Sequence, residues 1–513
     1  MGYKQITLKV PTLYDDDLLR KLICGNLQIS EFSWQIEVKS LDARKRSDIH
    51  WLMRIGVSSE EITGPREPRT EKLQIPLTKR NEEVVVTGSG PAGFFCALLL
   101  QKAGFSTTLI DRGSEVDKRN SSILRFERDG VFDPQNNYAF GEGGAGTFSD
   151  GKLTSRSKRI TREREFILQS YIEAGAPEEI SWMAHPHLGT DNLKKIVKNL
   201  RHQYQQLGGR MLFETMLEDI KVSSGRVTEA LTSAGPLRAD ALFVAPGHSA
   251  FETYRMLIKK GVAFRPKNFA IGSRMEHHQE VINRIQWGRP ELPGVKAAEY
   301  RISSGGDGKH QVYSFCMCPG GMVVPAMAYA KTSLVNGMSH FKRDGLYANA
   351  GCVAGIHPGD LAGKEVSALE ALDCLEQLEQ QFYLFSGGYD APACTIRDFI
   401  DSSLRETSLK SSYPLGVKPA RLWELLPQSI AVALRAGLVD FTRKMKGFDT
   451  GNLIGLESKT SSPIQVMRES GGLCSGFENL FVIGEAGGYA GGIISSAADG
   501  VKAAMHYAGG NRP

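Results

Sequence analysis

Three glycines, Gly88, Gly90 and Gly93, stand in the order G-x-G-x-x-G, one residue after a run of three valines. The first glycine permits a tight turn, the second lets the backbone approach a pyrophosphate, and the third lets a helix pack close to the strand. Pro91 and Ala92 lead from this turn into the helix, whose unpaired N–H groups face the phosphates. This spacing predicts a dinucleotide-binding site.

A carboxylate follows at the distance that such a site requires. We predict the helix over 94–102 and a second buried strand over 107–110, and Asp111 ends that strand. A carboxylate at this place accepts hydrogen bonds from a pair of ribose hydroxyls, and the neighbouring Arg112 is a further predicted contact. A purely structural glycine turn is the alternative, but it gives no reason for the strand, helix, strand and carboxylate to follow in this order.

A second glycine cluster occupies residues 141–146. Such a density is useful where backbone lies against a flat ring system or a ribityl chain, because side chains would block the approach. The alternative is a flexible surface loop. The predicted contacts of this cluster are Gly143, Gly144, Ala145, Gly146 and Thr147.

Two cysteines and a histidine are the candidates for nucleophilic or acid–base chemistry. Cys316 and Cys318 are two residues apart, so on a strand they share a face and both thiols could face one cavity. We predict Cys318 as the catalytic thiol because it precedes a Pro-Gly-Gly turn, and His187, in a His-Pro-His loop, as an acid–base group. The spacing is poor for a disulfide, and without further ligands we predict no metal site. Buried apolar cysteines and a structural histidine remain the alternatives.

Bulk composition limits the classes of function. A chain of 513 residues predicts two or three domains, and a net charge of +5 is too small for this length to indicate nucleic acid. The first ten residues lack the apolar core of a signal peptide, and the longest apolar run, 94–100, is too short to span a bilayer. Eight cysteines without a paired framework fit a reducing compartment. We therefore expect a cytoplasmic protein without a membrane span, and its oligomeric state is left open.

Hydrophobic periodicity divides the chain into four segments. The pattern over residues 1–75 predicts a small β-α-β-β module and a proline-containing linker. The segment 80–250 contains the dinucleotide motif, and its pattern predicts two further helices and a β-meander. Residues 251–445 predict an α+β cap domain, and 446–513 complete the first domain. The basic run 44–46 in the module fits a solvated hairpin tip or a contact with a phosphate-bearing partner.

With these motifs in place, the chain resembles the FAD-binding domain of the glutathione-reductase type. There a β-meander leads into a strand with an A-T-G-like end, here Ala245-Pro246-Gly247, and a last motif closes over the flavin, here 479–504. More narrowly, the chain is similar to a bacterial family of uncharacterised FAD-dependent, or NAD(FAD)-utilising, dehydrogenases. The segments that carry this resemblance are GEGGAGTFSDGKL at 141, HPHLGTDNL at 185, FCMCPGG at 315, NGMS at 336, TSSP at 460 and GEAGGYAGGI at 484.

The resemblance implies an α/β fold: a Rossmann-like FAD-binding domain with a β-meander, interrupted by the cap and preceded by the N-terminal module. It implies FAD as cofactor, with NAD(P)H as a candidate transient electron donor. From the last motif it adds Gly484, Glu485, Gly491, Gly492 and Ile493 to the predicted contacts. Asp111 stands where the superfamily commonly has Glu, and Glu485 where it commonly has Asp, but both keep a carboxylate.

Three functions follow as expectations. The first is hydride transfer between flavin N5 and a small organic substrate. The second is a flavin-dependent monooxygenase or oxidase that uses O2. The third is a non-redox FAD-containing protein that recruits RNA or protein through its N-terminal module.

Overall fold

A computed structural model describes residues 1–66 and 71–509 of the chain. The first unit is an antiparallel sheet with one helix on its face, and β3 is its central strand. Its elements are β1 (Gly2–Val10), α1 (Asp16–Leu27), β2 (Ser33–Asp42) and β3 (His50–Ser59). Alternate residues of β1, among them Ile6, Leu8 and Val10, are buried in one cluster with Leu19 and Ile23 of α1. The predicted β-α-β-β order is confirmed.

The second unit begins with the predicted strand, helix and strand. Its elements in chain order are β4 (Glu83–Thr87), α2 (Pro91–Lys102), β5 (Ser106–Ile110), α3 (Val116–Asp129), α4 (Thr161–Glu173), α5 (Gly189–Gln206), β6 (Arg210–Leu212), β7 (Leu217–Ser223), β8 (Arg226–Thr232), β9 (Gly235–Arg238), β10 (Ala241–Val244) and α6 (Phe251–Lys259). Strands β7, β8 and β9 form a separate antiparallel meander, as predicted.

The third unit is built on a largely antiparallel sheet in the order β13-β14-β16-β12-β19-β17-β18, with β15 paired to β14. Helices α9 and α12 supply much of its apolar core. The elements are β11 (Phe264–Pro266), β12 (Phe269–His278), α7 (Gln279–Trp287), β13 (Ser303–Ser304), β14 (Val312–Pro325), β15 (Val335–Ser339), β16 (Tyr347–Ile356), α8 (Pro358–Ala362), α9 (Ala368–Ser386), β17 (Ala391–Thr395), α10 (Ile396–Asp401), β18 (Val417–Pro419), α11 (Leu422–Leu425), α12 (Gln428–Lys444), β19 (Asn452–Glu457) and β20 (Ile464–Val466).

The chain then returns to the second unit with β21 (Leu480–Val482) and α13 (Ile493–Ala508). The parallel sheet has the order β21-β10-β4-β5-β6, and α13 packs against α2 on one of its faces. Strands β11 and β20, where the chain leaves and re-enters this unit, pair with each other. The predicted fold class, a Rossmann-like domain interrupted by an α+β domain, is confirmed. The boundaries at residues 75, 250 and 445 stay predictions.

The N-terminal unit is attached to the other two units through β2. The backbone of Lys39 exchanges hydrogen bonds with Trp182 and Ala184, of 2.8 and 2.9 Å. At the basic tip, Arg44 pairs with Asp42 at 2.5 Å, and Arg46 donates to the carbonyl oxygen of Ile285 at 2.6 Å. Two of the three basic side chains of the tip are therefore bound by groups of this chain.

Buried neutral histidines predict a loss of stability in acid. Burial lowers the pKa of both His187 and His277 to about 4, from an ordinary value of 6.5. A depressed pKa in the folded state gives stability that is present above pH 6.5 and is lost as the pH falls through about 4, because the unfolded chain takes up the protons first.

We expect the free energy of unfolding to fall over this pH range by up to about 1.4 kcal/mol per pH unit for each of these histidines. The variant His277→Gln should flatten this slope, and His202→Gln, at an exposed position, should leave it unchanged. Urea denaturation at a series of pH values measures both, and an unchanged slope in His277→Gln would contradict the prediction.

Candidate active site

A cleft opens at the carboxyl ends of the parallel strands, between the second and third units. Its wall is formed by the residues that follow β4, β5, β10 and β21, by the second glycine cluster, and by β14 and β15. Among the described residues, none that precedes Thr87 lies on this wall. The predicted contacts on the wall are Gly88, Gly90, Pro91, Ala92, Asp111, Arg112, Gly144, Ala145, Gly146, Ala245, Pro246, Gly247, Glu485, Gly492 and Ile493.

The other predicted site residues are not on this wall. These are Gly93, Gly143, Thr147, Gly484, Gly491, His187 and Cys318. Gly93 and Gly484 are packing positions: a Cβ on Gly93 would overlap the carbonyl oxygen of Gly88, and one on Gly484 would lie 2.5 Å from the side chain of Ala92. Gly143 has no room for a side chain either, because Thr147 occupies that space.

The first glycine turn is tight at one residue and open at another. Gly88 has φ +92°, and a Cβ there would overlap the carbonyl oxygen of Ala245. A Cβ on Gly90 would meet no atom nearer than the Cα of Gly144, at 3.6 Å, outside its own chain neighbours. Gly90 therefore leaves free space at the N-terminus of α2, where an anion is stabilised by the helix dipole.

The carboxylate of Asp111 is fixed by groups of the first glycine turn. One oxygen accepts hydrogen bonds from the backbone N–H of Ser89 at 2.8 Å and from its hydroxyl at 2.5 Å, and the other accepts from the backbone of Gly113 at 2.9 Å. The neighbouring Arg112 pairs with Glu252 and lies over the ring of Phe140 at 4.1 Å. Both side chains face the cleft.

A fully buried arginine, which the sequence analysis did not identify, organises the second glycine cluster. Arg119 of α3 is 0% exposed and donates to five backbone carbonyls at 2.7–3.2 Å. Burial lowers its pKa to about 10, so the guanidinium stays charged at neutral pH. The carbonyls belong to Asn137, Tyr138, Gly141, Glu142 and Gly144.

Glu485 is joined by a histidine that the sequence analysis also missed. Nδ1 of His248 lies 2.6 Å from one carboxylate oxygen of Glu485, and the other oxygen accepts from the backbone of Gly492 at 2.7 Å. Burial alone would raise the pKa of Glu485, but His248 and Gly492 lower it, so Glu485 is ionised. The position of His248, directly after Ala245-Pro246-Gly247, was the signal in the sequence.

The two neighbouring cysteines do not share a face, contrary to the expectation from their spacing. The pairing of β14 with β16 shifts register on both sides of Cys318, and Cys316 has φ +44°, so the backbone bulges here. As a result Cys316 is half-buried on the cleft wall, whereas Cys318 is fully buried and its thiol lies 3.3 Å from the carbonyl oxygen of Cys316.

The two thiols also differ in acidity. The hydrogen bond from Cys318, together with the positive charges of Lys152 and Arg274, lowers the pKa of Cys316 to about 5 although its burial acts in the opposite direction. Its hydrogen bond to Cys316, together with burial, raises the pKa of Cys318. Cys316 is therefore the more acidic thiol of the pair, and it is the one that faces the cleft.

A buried ion pair lies directly behind Cys316. Arg274 and Glu457 are both 0% exposed and pair at 2.5 Å. The guanidinium also donates to the carbonyl oxygen of Cys316 at 2.8 Å, to Oδ1 of Asn336 at 3.1 Å and to Oδ1 of Asn349 at 2.7 Å. Arg274 thus holds the strained backbone of Cys316 and orients the amide of Asn336, which lies on the cleft wall.

A second buried carboxylate forms the end of the cleft. Asp150 accepts hydrogen bonds from Arg343 at 2.7 and 3.1 Å and from the hydroxyl of Ser339. Burial opposes ionisation, but Lys152 and Arg343 hold the pKa of Asp150 well below its usual range. His187 lies behind this group, with Nε2 3.0 Å from the carbonyl oxygen of Phe341.

The cleft has the polarity that an acceptor-rich ligand requires. Among the buried polar atoms on its wall that have no hydrogen-bond partner are Nε of Arg112, Nε2 of His248 and the hydroxyl of Ser496. A dinucleotide with phosphate oxygens, hydroxyls and ring carbonyls supplies partners for such atoms, so the residues present fit FAD. Over 1–66 and 71–509, no three His, Cys, Asp or Glu side chains cluster as a metal site would need.

Comparisons with known proteins bear on the same region. Residues 268–460 match the family model of the FAD-dependent protein, C-terminal domain-like family. A curated relative from Clostridium beijerinckii, described as an uncharacterized protein, is 37% identical over 520 residues, which cover 96% of each chain. In the described part of the chain, no helix has the length and apolarity needed to cross a membrane.

Solved structures resemble the chain only weakly. CtdE in complex with FAD has a TM-score of 0.31 and 11% identity, covering 84% of this chain and 83% of that one. Glycine oxidase from Bacillus cereus has a TM-score of 0.33 and 11% identity, covering 84% and 96%. A geranylgeranyl bacteriochlorophyll reductase-like protein from Thermoplasma acidophilum has a TM-score of 0.36 and 14% identity, covering 84% and 79%. These values carry no argument about chemistry.

Proposed function

The chain belongs to one family with the Clostridium beijerinckii protein and carries the C-terminal domain of FAD-dependent proteins, and from this premise we propose that it is an FAD-dependent oxidoreductase. Its reaction moves a hydride between the flavin and a small organic substrate. One observation carries the proposal: the glycine turns after the parallel strands and Cys316 from the third unit line the same cleft. We propose further that the chain belongs to the family of FAD-dependent dehydrogenases that its sequence motifs resemble.

The second unit supplies the residues that would hold FAD. The turn at Gly88–Ala92 and the N-terminus of α2 suit the diphosphate, and Asp111 suits the adenosine ribose. The second glycine cluster suits the ring or the ribityl chain, and His248 with Glu485 offers a donor and an acceptor to the ribityl hydroxyls. When bound, the flavin supplies the hydride chemistry, and the protein supplies orientation and electrostatics.

The third unit supplies the side chains that face the substrate. We propose Cys316 as the catalytic thiol in place of Cys318, because only Cys316 lies on the cleft wall. Its thiolate, stabilised by Lys152 and Arg274, can accept a proton from the substrate at neutral pH. For His187 we propose a positioning role, since its ring is neutral, lies behind the wall and bonds to the carbonyl oxygen of Phe341.

Anaerobic reduction tests the function. The purified holoenzyme is mixed with NADH, NADPH and a metabolite pool, and flavin absorbance is recorded. Bleaching by NAD(P)H would identify the transient donor, and bleaching by the pool would identify a substrate to fractionate. Admitting O2 and following re-oxidation and products separates a dehydrogenase from the oxidase or monooxygenase alternative. A protein that contains no FAD, or whose FAD no reductant bleaches, would contradict the proposal.

The matched pair Cys316→Ser and Cys318→Ser tests the thiol. We expect Cys316→Ser to keep its FAD and to slow reduction by substrate by about 100-fold, a typical effect of losing one proton-transfer group. Cys318→Ser should keep its FAD and a rate close to that of the unchanged protein, because the serine hydroxyl can still donate the hydrogen bond that lowers the pKa of Cys316. If both variants reacted as fast as the unchanged protein, neither thiol would act in the reaction.

The N-terminal unit gives little support to the binding-protein alternative. It contributes no described residue to the cleft wall, and Arg44 and Arg46 of its basic tip are held by Asp42 and by the Ile285 carbonyl. We propose that this unit braces the loop at Trp182 and helix α7 at Ile285. We also propose a cytoplasmic location, because all eight cysteines are free.

A further inference from the structure

Lys152 lies on the cleft wall, and its ammonium has no hydrogen-bond acceptor within the described chain. Its Nζ is shielded from solvent, and the nearest carboxylate oxygen, on Asp150, is 3.7 Å away. That carboxylate is already bonded to Arg343 and Ser339. A buried ammonium without acceptors is costly, so this position is suited to an acceptor that a ligand brings.

A second free donor faces the same end of the cleft. Oδ1 of Asn336 accepts from Arg274 at 3.1 Å and from the backbone of Gly337 at 2.8 Å, which fixes the orientation of the amide. Its Nδ2 group is therefore the part that remains available on the wall. Because the same guanidinium also bonds the carbonyl of Cys316, Asn336 and Cys316 are neighbours.

Lys152 belongs to the same cluster. The hydrogen bond between Asp150 and Ser339 joins the segment of Lys152 to β15, the strand that carries Asn336. Of the other charges here, Arg274 pairs with Glu457 at 2.5 Å, and Arg343 lies between Asp150 at 2.7 Å and Glu299 at 3.4 Å. Lys152 pairs with Asp150 only at 3.7 Å and without a hydrogen bond, so an acceptor on a ligand would satisfy its ammonium.

We infer that Lys152 Nζ and Asn336 Nδ2 together bind a carboxylate group of the substrate beside Cys316, so that the substrate is a small organic acid. Two donors match the two oxygens of a carboxylate, and a charge-assisted hydrogen bond from Lys152 gives most of the affinity. Calling this ligand the substrate rests on the proposed function. The anion site itself can be tested without turnover.

Alkylation of Cys316 reports directly on this site. Iodoacetate and iodoacetamide both alkylate a thiolate through their CH2 carbon, with loss of iodide. Iodoacetate carries a carboxylate on that carbon, whereas iodoacetamide carries a neutral amide. The holoenzyme is treated with each reagent, and modification of Cys316 is quantified by peptide mass spectrometry. Cys24 of α1, half-buried in the N-terminal unit, is the internal reference for the intrinsic reactivity of the two reagents.

We expect the iodoacetate to iodoacetamide rate ratio at Cys316 to exceed that at Cys24 by about tenfold or more, the effect of one charge-assisted hydrogen bond. Lys152→Met should abolish the preference, and Lys152→Arg should retain most of it. Asn336→Asp keeps the acceptor for Arg274 but replaces the free donor by a carboxylate, so it should also abolish the preference. Acetate should protect Cys316 from iodoacetate, and acetamide should not.

Several results would overturn the inference. These are an unchanged preference in Lys152→Met, a ratio equal to that of Cys24, or no reaction of Cys316 with either reagent in the holoenzyme. Loss of FAD from both Lys152→Met and Asn336→Asp would assign the two side chains to the cofactor instead. Failure of the proposed function would be seen in a different measurement. The protein without substitutions would then contain no FAD, or would contain FAD that no reductant bleaches.

Discussion

Replacing Gly93 with alanine is expected to lower the free energy of unfolding by about 3 kcal/mol and to yield protein without flavin. The added Cβ would overlap the carbonyl oxygen of Gly88, a backbone atom that cannot move without displacing the turn. Both the packing of α2 on β4 and the approach of backbone to the diphosphate depend on this turn. Urea denaturation gives the stability, and the visible absorbance of the purified protein gives the flavin content.

Gly90 provides the matched control within the same motif. Since a Cβ there meets nothing closer than Gly144 Cα at 3.6 Å, Gly90→Ala should retain the stability of the unchanged protein. Gly90→Leu should fold but extend into the cleft, giving a stable, colourless protein. If Gly90→Leu bound FAD normally, the diphosphate would not lie at this turn, and if Gly93→Ala were fully stable, the turn would be more deformable than its contacts indicate.

Replacing Arg119 with methionine is expected to cost about 3 kcal/mol or more of stability and to abolish FAD binding. Methionine fills much of the space but leaves five carbonyls without their donor, and these carbonyls shape the second glycine cluster. The variant is measured by denaturation and by flavin absorbance after incubation with excess FAD.

Two variants on the same helix control for this effect. Arg119→Lys keeps the charge but offers donors in a different geometry, so it should recover part of both the stability and the flavin. Arg128→Met removes a cation whose side chain is 76% exposed and should change neither. Retention of FAD by Arg119→Met would show that the glycine cluster keeps its shape without the guanidinium.

Sequence patterns predicted the parts of the fold that depend on neighbouring residues. The turn at Gly88–Gly93, the carboxylate of Asp111 and the strand after the β-meander all follow from local spacing. Helix ends were less predictable. The apolar stripe of α9 extends back to Val366 in the sequence, but the helix begins at Ala368 because Ser367 and Glu370 form a capping box.

The functional end of the cleft depended on contacts that no local pattern contains. Alternation along β14 places Cys316 and Cys318 on one face, and only the bulge in its pairing with β16 separates them. Arg119 and Arg274 occupy positions where a charged residue is usually solvated, and each is explained by carbonyls or carboxylates that are distant in sequence. Such partners become visible only once the chain is folded.

The late position of β21 has a consequence for how the protein is made. Strand β10 has β4 on one side and β21 on the other, and β21 is translated only after the whole third unit. Until Leu480–Val482 leaves the ribosome, the edge of β10 stays unpaired, which is the kind of edge that invites aggregation. Glu485 and Gly492 emerge later still, so a nascent chain cannot offer a complete site. Loading of the cofactor must then wait until these residues have been translated.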